Sequence, residues 1–394
     1  MSTPTPLNKI PRAIWALGFV SLFMDMSSEM IHSLLPLFLT GTLGASALAV
    51  GLIAGVAEAT VSITKLFSGV ISDWTGRRKP LLLLGYGLAA LTKPIFPLAQ
   101  TVSAVFAAHV LDRVGKGIRG APRDALVAEI TPPEQHGAAY GLRQGMDTVG
   151  AFIGPLLAVG LMWLSHDNIR YVFSWAVIPA ALTVLTIVLF VREPERRVTG
   201  GAHKFPISRA ALARLPRAYW HIVIAACVLM LARVSEAFLI LRGQSAGLSL
   251  SYAPFILITM NAAYALSSYP LGLLADRVSR QRLLAAGILL LLLAHLLLAF
   301  GGLACVFAGV VVWGLHMGAT QGLLAALVAE HAPADLRGSA FGMYNLLSGM
   351  AALAGGGIAG GVWTVAGPAA TFLLGGMLAA VTLLVLAAAR PPTH

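Results

Sequence analysis

Asp25, Glu29 and His32 stand at i, i+4 and i+7, a spacing that puts all three on one face of a helix, with Pro36 a turn further on. Two carboxylates on one face repel when both are ionised, so such a pair favours holding a proton between them. A carboxyl group that takes up and releases a proton suits proton carriage, and His32 suits a relay. The competing reading is a structural pair neutralised by cations on neighbouring helices, with His32 a satisfied core residue.

Other charges keep helical spacing. Glu58 and Lys65 are i, i+7; Arg143 and Asp147 are i, i+4; Arg233 and Glu236 are i, i+3. The last two pairs read first as mutually neutralising. Asp112, Arg113, Lys116, Arg119 and Arg123 form a cluster that grows more basic along the chain. Arg113 is best placed to control a neighbouring carboxylate, whereas Arg119 and Arg123 read as charges at a membrane edge. Gly115-Lys116-Gly117 lacks the GxxxxGK(S/T) spacing and the preceding strand of a phosphate loop. There is no nucleophile–base–orienter set and no metal spacing such as HExxH, so no enzyme chemistry, bound metal or cofactor is expected.

The elements that position these groups follow from composition. Of 394 residues, 58% are hydrophobic and 11% charged, and the mean hydropathy is +0.82. A soluble domain carries roughly 25% charged residues, so a cytosolic enzyme, a secreted disulfide scaffold and a disordered chain are excluded. The two cysteines, Cys227 and Cys305, lie in apolar runs and read as small hydrophobes. Twelve apolar stretches have the length of about 20 residues that a bilayer demands. They cover 14–39, 47–72, 80–99, 102–118, 140–163 and 171–191 in the first half of the chain. In the second half they cover 220–241, 252–275, 283–300, 303–324, 340–365 and 368–389. The first follows Lys9 and Arg12 and outruns a signal peptide's apolar region, so it reads as an uncleaved span. A charged side chain at the bilayer centre costs about 2.5–3.5 kcal/mol, so each one inside a span needs a reason. The acids in spans are Asp25, Glu29, Glu58, Asp112, Asp147 and Glu236; the bases are Lys65, Lys93, Arg113, Lys116, Arg143 and Arg233.

With twelve spans, 19 of the 27 Lys and Arg fall on the side of the termini and two, Arg170 and Arg242, on the other. The positive-inside rule then places both termini in the cytoplasm and explains the net charge of +11 without a nucleic-acid partner. A polar, basic, Gly/Pro-punctuated stretch at 192–218 divides the chain into halves 1–191 and 219–394 and reads as a cytoplasmic linker along lipid headgroups. The halves repeat. Ala125-Leu-Val-Ala-Glu129 returns as Ala326-Leu-Val-Ala-Glu330, Gly69-Val-Ile-Ser-Asp73 as Gly272-Leu-Leu-Ala-Asp276, and Ser28-Glu29 as Ser235-Glu236. The repeat supports keeping the weakly hydrophobic fourth span, and pairs Glu236 with Glu29.

These segments resemble the major facilitator superfamily of secondary transporters, over essentially the whole chain. Gly69…Asp73-Trp-Thr-Gly76-Arg77-Arg78-Lys79 is similar to its signature loop between spans two and three, with a degraded copy at Gly272…Asp276-Arg277, where Ser279 replaces the second glycine. Arg113-Val-Gly-Lys116-Gly117 resembles a span-four motif whose arginine is linked to proton coupling. Gly145 followed by Gly154-Pro155 resembles a span-five motif of antiporters, with Ala158 and Val159 where that motif has a glycine pair. Asp25-Met-Ser-Ser-Glu29 and Gly115…Asp124 resemble a bacterial and archaeal branch of the superfamily.

The resemblance implies an all-α membrane protein of twelve helices in two pseudo-symmetric six-helix halves, with a site at the midplane between them. It implies proton-coupled export of a small organic compound, driven by the proton gradient, in the bacterial inner membrane. Its partners would be protons, a small-molecule substrate and the lipid bilayer, and it would act as a monomer. The expected proton and substrate groups are Asp25, Glu29, His32, Glu58, Arg113 and Glu236, with Lys65, Lys116, Arg143, Asp147 and Arg233 as further cavity residues. Asn261, Tyr264, Tyr269, His316, Gln321, Tyr344 and Asn345 are second-half polar candidates. Gly69, Asp73, Gly76, Arg77, Arg78, Asp276 and Arg277 are expected to form a conformational latch away from substrate. The rival readings are a proton-coupled importer of a small organic anion, recognised by Lys65, Lys93, Arg113, Lys116 and Arg143, and metal-ion efflux through Asp25, Glu29, His32 and Glu58. A membrane ligand sensor is the rival from another class.

Overall fold

The computed structural model describes residues 11–75, 77–132, 135–191, 212–275, 278–333 and 336–388. Most of the 192–218 stretch, together with Gly76, Asp276 and Arg277 of the latch, lies outside the described residues, as does the side chain of Asp73.

Every long element among the described residues is helical. In the first half these are α1 (Arg12–His32), α2 (Ala47–Thr75), α3 (Lys79–Thr92), α4 (Val102–Ile130), α5 (His136–Leu164), α6 (Ile169–Trp175) and α7 (Val177–Phe190). In the second they are α8 (Arg217–Ala232), α9 (Glu236–Ser245), α10 (Phe255–Ala275), α11 (Arg280–Phe300), α12 (Leu303–His331) and α13 (Arg337–Ala388). Large apolar side chains such as Leu84, Leu185, Phe190, Leu266 and Leu384 are more than half exposed. Helices that are apolar on every face belong in lipid.

Ten helices among the described residues are long and apolar enough to cross a membrane. The two departures from the twelve stretches have physical reasons. The fourth span forms, but as a 29-residue helix extending past 118 to Ile130, started by Thr101 Oγ1 accepting from the Ala104 amide at 3.3 Å. Its charges keep it off the apolar count. The last two stretches join in α13, where Gly367 has φ +83, a left-handed conformation glycine tolerates, followed at once by Pro368. The apolar part, Ser339–Ala387, has 49 residues, roughly 74 Å of helix, against a hydrocarbon core of about 30 Å.

The chain clusters into two compact units. The first comprises the described residues of Met1–Leu34 and Thr60–Lys204, the second those of Leu35–Ala59 and Phe205–His394. In the first unit α1 packs on α5 and α7, and α3 on α4 and α7. In the second, α8 and α11 both pack on α13, and α12 packs on α10 and α11. The pairing of the first span with the fifth and the third with the fourth thus recurs as α8 with the first part of α13 and α11 with α12, as the internal repeat requires.

Small residues set the closest contacts. In the first unit Gly85 and Gly115 face each other, each with the other's carbonyl where a side chain would begin, so α3 and α4 approach at backbone distance. Gly117 makes room for Thr64, and Ser68 Oγ donates to its carbonyl at 2.9 Å. The glycines flanking Lys116 are therefore packing positions. In the second unit, Gly51 and Gly356 repeat the device as reciprocal contacts, Gly55 meets Leu353, and Gly360 meets Ala47.

Candidate functional site

The α1 face carries Asp25, Glu29 and His32 into the first unit, and α5 is brought against it by two glycines. Gly150 abuts the Leu22 carbonyl, and a Cβ at Gly154 would stand 2.6 Å from the Met26 carbonyl oxygen and 2.9 Å from Glu29 Cβ. Gly145, first residue of the antiporter-like motif, faces open space, whereas Pro155 is buried. Gly150 did not stand out in the sequence, although it lies one turn before Gly154.

This packing brings the carboxyl group of Asp147 on α5 within hydrogen-bond reach of Asp25. Spacing along one helix paired Asp25 with Glu29; the contact partner of Asp25 is Asp147. The expected neutralisation of Asp147 by Arg143 is a marginal one, at 4.0 Å, and Arg123 reaches the same carboxylate at 3.9 Å. Gln144 Nε2 donates to Asp147 at 3.3 Å and its Oε1 accepts from Arg143 at 2.7 Å. Arg119 and Arg123, read as edge charges, both have partners within the protein. Arg119 is buried, its guanidinium 4.5 Å from the centre of the Tyr86 ring, and Arg123 meets Asp124 at 3.3 Å and Ser21 Oγ at 3.4 Å. The helix simply continues past the point where hydropathy ends.

Beyond Glu29 the polar row continues. Lys93, where α3 stops before Pro94, is 1% exposed; its ammonium donates to Asp112 Oδ1 at 2.9 Å and Ser28 Oγ at 3.1 Å. Asp112 thereby has a full partner, and Arg113, 3.8 Å from it, turns its guanidinium to His32 instead. Arg113 Nη2 lies 3.0 Å from His32 Nδ1 and closer still to Nε2. A guanidinium only donates, so the ring nitrogen that meets Arg113 is an acceptor, and Nδ1 also lies 3.5 Å from Glu29 Oε1. His109 stands edge to face with His32, ring centres 5.4 Å apart. It escaped notice in the sequence although it precedes Arg113 by one turn.

Lys116 is exposed, and its charge acts on Asp25, Glu29, His32 and Asp147 together. Among the described residues no carboxylate comes within ion-pair distance of it. Lys65 is exposed on α2.

In the second unit α8 ends at Ala232, and α9 begins after Ser235, whose Oγ accepts from the Ala237 amide at 3.3 Å. Arg233 sits in that break, its charge acting with Glu58, Glu236, Tyr264 and Tyr344. Glu58 and Glu236 are exposed. His295 is fully buried, with Nε2 3.0 Å from the Ala232 carbonyl at the break, which also accepts from the Val234 amide at 3.0 Å, and Gly375 supplies the space its ring fills. His316 is buried against the Gly287 carbonyl at 2.7 Å. Tyr269 is 75% exposed. The side chain of Gln321 lies outside the described residues.

Of the latch residues, Arg77 is exposed and Arg78 buried. Arg78 donates to Glu129 at 3.0 Å and to Ser72 Oγ. In the second half Arg280 meets Glu330, also at 3.0 Å. Each repeat therefore ties the start of its third helix to the end of its fourth.

A family model described as Major Facilitator Superfamily matches residues 17–261 and 237–394. An uncharacterised MFS-type transporter of Methanocaldococcus jannaschii is 29% identical, over 96% of this chain and 95% of its own. The multidrug resistance protein MdtH of Aeromonas hydrophila is 26% identical, over 87% and 86%. Among solved structures, a mutant of the nucleoside transporter NupG superposes with a TM-score of 0.82 at 14% identity, covering 96% of this chain and all of that one. A POT family transporter in complex with 5-aminolevulinic acid gives the same score and identity, over 97% of each chain.

Proposed function

Because this chain belongs to the Major Facilitator Superfamily, and is a transporter rather than an enzyme, we propose that it is a secondary carrier exchanging protons for a small organic compound by alternating access. The observation that carries the coupling is the contact between the Asp25 and Asp147 carboxyl groups. Two carboxyl groups this close hold one proton between them, since like charges in contact do not both ionise. Glu29 is one turn away, and Lys116 supplies a positive charge that turns to whichever carboxylate is bare. Proton loss therefore changes what Lys116 can hold, which links the proton to the substrate.

Export is the favoured direction, supported by the likeness to MdtH over most of the chain. The bias of Lys and Arg supports both termini being cytoplasmic, and the likeness to MdtH supports a bacterial inner-membrane protein. The halves 1–191 and 219–394, joined by 192–218, are the repeated parts of the carrier. One other reading has a specific observation behind it. Lys116, exposed and with no carboxylate at ion-pair distance among the described residues, suits a small organic anion, which would travel with the proton and so inward.

Inverted vesicles loaded with a pH dye and screened with organic drugs and anions test both. Proton movement on adding a substrate is expected, with loss in Asp25→Asn and Glu29→Gln. Substrate movement indifferent to an imposed pH gradient overturns proton coupling. The sign of the pH change separates exchange from co-transport.

A further inference from the structure

The carboxyl pair lies inside the first unit, and a proton must reach it. On α1 the titratable groups run in order Asp25, Glu29, His32, and Glu29 and His32 are 3.5 Å apart. The row does not stop at His32. His109 on α4 presents its ring to His32 at 5.4 Å and 89°, a separation at which rotation of the imidazole brings nitrogen to nitrogen. His109 is 5% exposed, and its Nδ1 has no hydrogen-bond partner among the described residues. Every other charged group facing it is engaged: His32 on α1, Arg113 on its own helix with His32, and Asp112 with Lys93 after α3.

Position gives the row a direction. α4 begins at Val102, and the seven residues before His109 include no titratable side chain, so His109 is the first such group about 10 Å into that helix. The charge bias of the sequence puts this end of α4 on the outer side. We propose that His109 is the entry relay through which a proton from the outer side passes to His32 and Glu29 and on to the Asp25–Asp147 pair. The step is a proton transfer alone: His109 takes the proton on one ring nitrogen and gives it up from the other. His32 does the same once the Arg113 guanidinium swings off its ring nitrogen, Glu29 takes the proton on one carboxylate oxygen and gives it up from the other, and no bond between heavy atoms changes. The proposal rests on the proton-coupled reading above.

The test needs no substrate. Purified protein in lipid is subjected to a pH jump while infrared absorption follows the carboxyl C=O stretch. In His109→Ala the titration midpoint of the band is expected to stay in place. Its rate of appearance is expected to fall by about 100-fold, and millimolar imidazole to restore it. His109→Gln, which keeps volume and polarity, should be equally slow and serves if the alanine variant fails to fold. An unchanged rate, or a slowing that imidazole does not relieve, overturns the relay. Persistence of the band in both Asp25→Asn and Asp147→Asn would instead overturn the carboxyl pair, and with it the proposed function.

Discussion

Lys93 and Asp112 meet at 2.9 Å with side chains 1% and 3% exposed, making the most deeply buried ion pair among those the described residues form. Their pairing decides what Arg113 does. With Asp112 satisfied by an ammonium and Ser28 held on the same nitrogen, the guanidinium is released to His32.

Removing one partner leaves the other charge buried and alone, which costs about 3–5 kcal/mol, whereas removing both can be nearly neutral. Lys93→Met is therefore expected to lower the melting temperature in detergent sharply. Lys93→Met with Asp112→Leu should recover most of the loss. Equal stability of the single and double variants would show that the pair does not hold the fold.

The two repeat-related ion pairs predict an asymmetry. Arg78 and Glu129 are 5% and 27% exposed, while Arg280 and Glu330 are 46% and 55% exposed, at the same 3.0 Å. A charge-assisted bond of the first kind contributes about 2 kcal/mol, and an exposed pair less than about 1 kcal/mol. Glu129→Gln should thus destabilise measurably in chemical unfolding, and Glu330→Gln hardly at all. Comparable losses in both would mean that burial is not what distinguishes them.

Gly154 predicts a link between packing and proton chemistry. An added methyl there meets the Met26 carbonyl and Glu29 Cβ, so Gly154→Ala pushes α1 from α5 at an expected cost of about 1–3 kcal/mol. It should also weaken proton-linked transport, because Asp25 and Asp147 sit on the two helices being separated. Gly145→Ala, which adds a methyl to open space, should change neither stability nor transport, as read by melting and by vesicle assay.

Much of this was legible in the chain because it is local. Asp25, Glu29 and His32 share a face by helical period alone, and the apolar stretches mark the helices by length. The Ala-Leu-Val-Ala-Glu repeat anticipated equivalent ends of α4 and α12. What could not be read depends on which helices touch. Asp25 meets Asp147 only because Gly150 and Gly154 admit α1, and Lys93 finds Asp112 only because α3 crosses α4 at Gly85 and Gly115. The partners of Arg119 and Arg123 were not legible because hydropathy ends before α4 does. Tyr269 is 75% exposed whereas Tyr264 acts on Arg233, and spacing along α10 does not say which side its neighbours cover.

The grouping of Leu35–Ala59 with the second unit bears on how this protein can be recombined with its relatives. A chimera cut at 192–211 respects the repeat yet separates Gly51 and Gly55 from the Gly356 and Leu353 against which they fit. Those positions form one packing set although some 300 residues of chain lie between them. A crossover that carries 35–59 along with the second half keeps each glycine with the backbone it was shaped to meet.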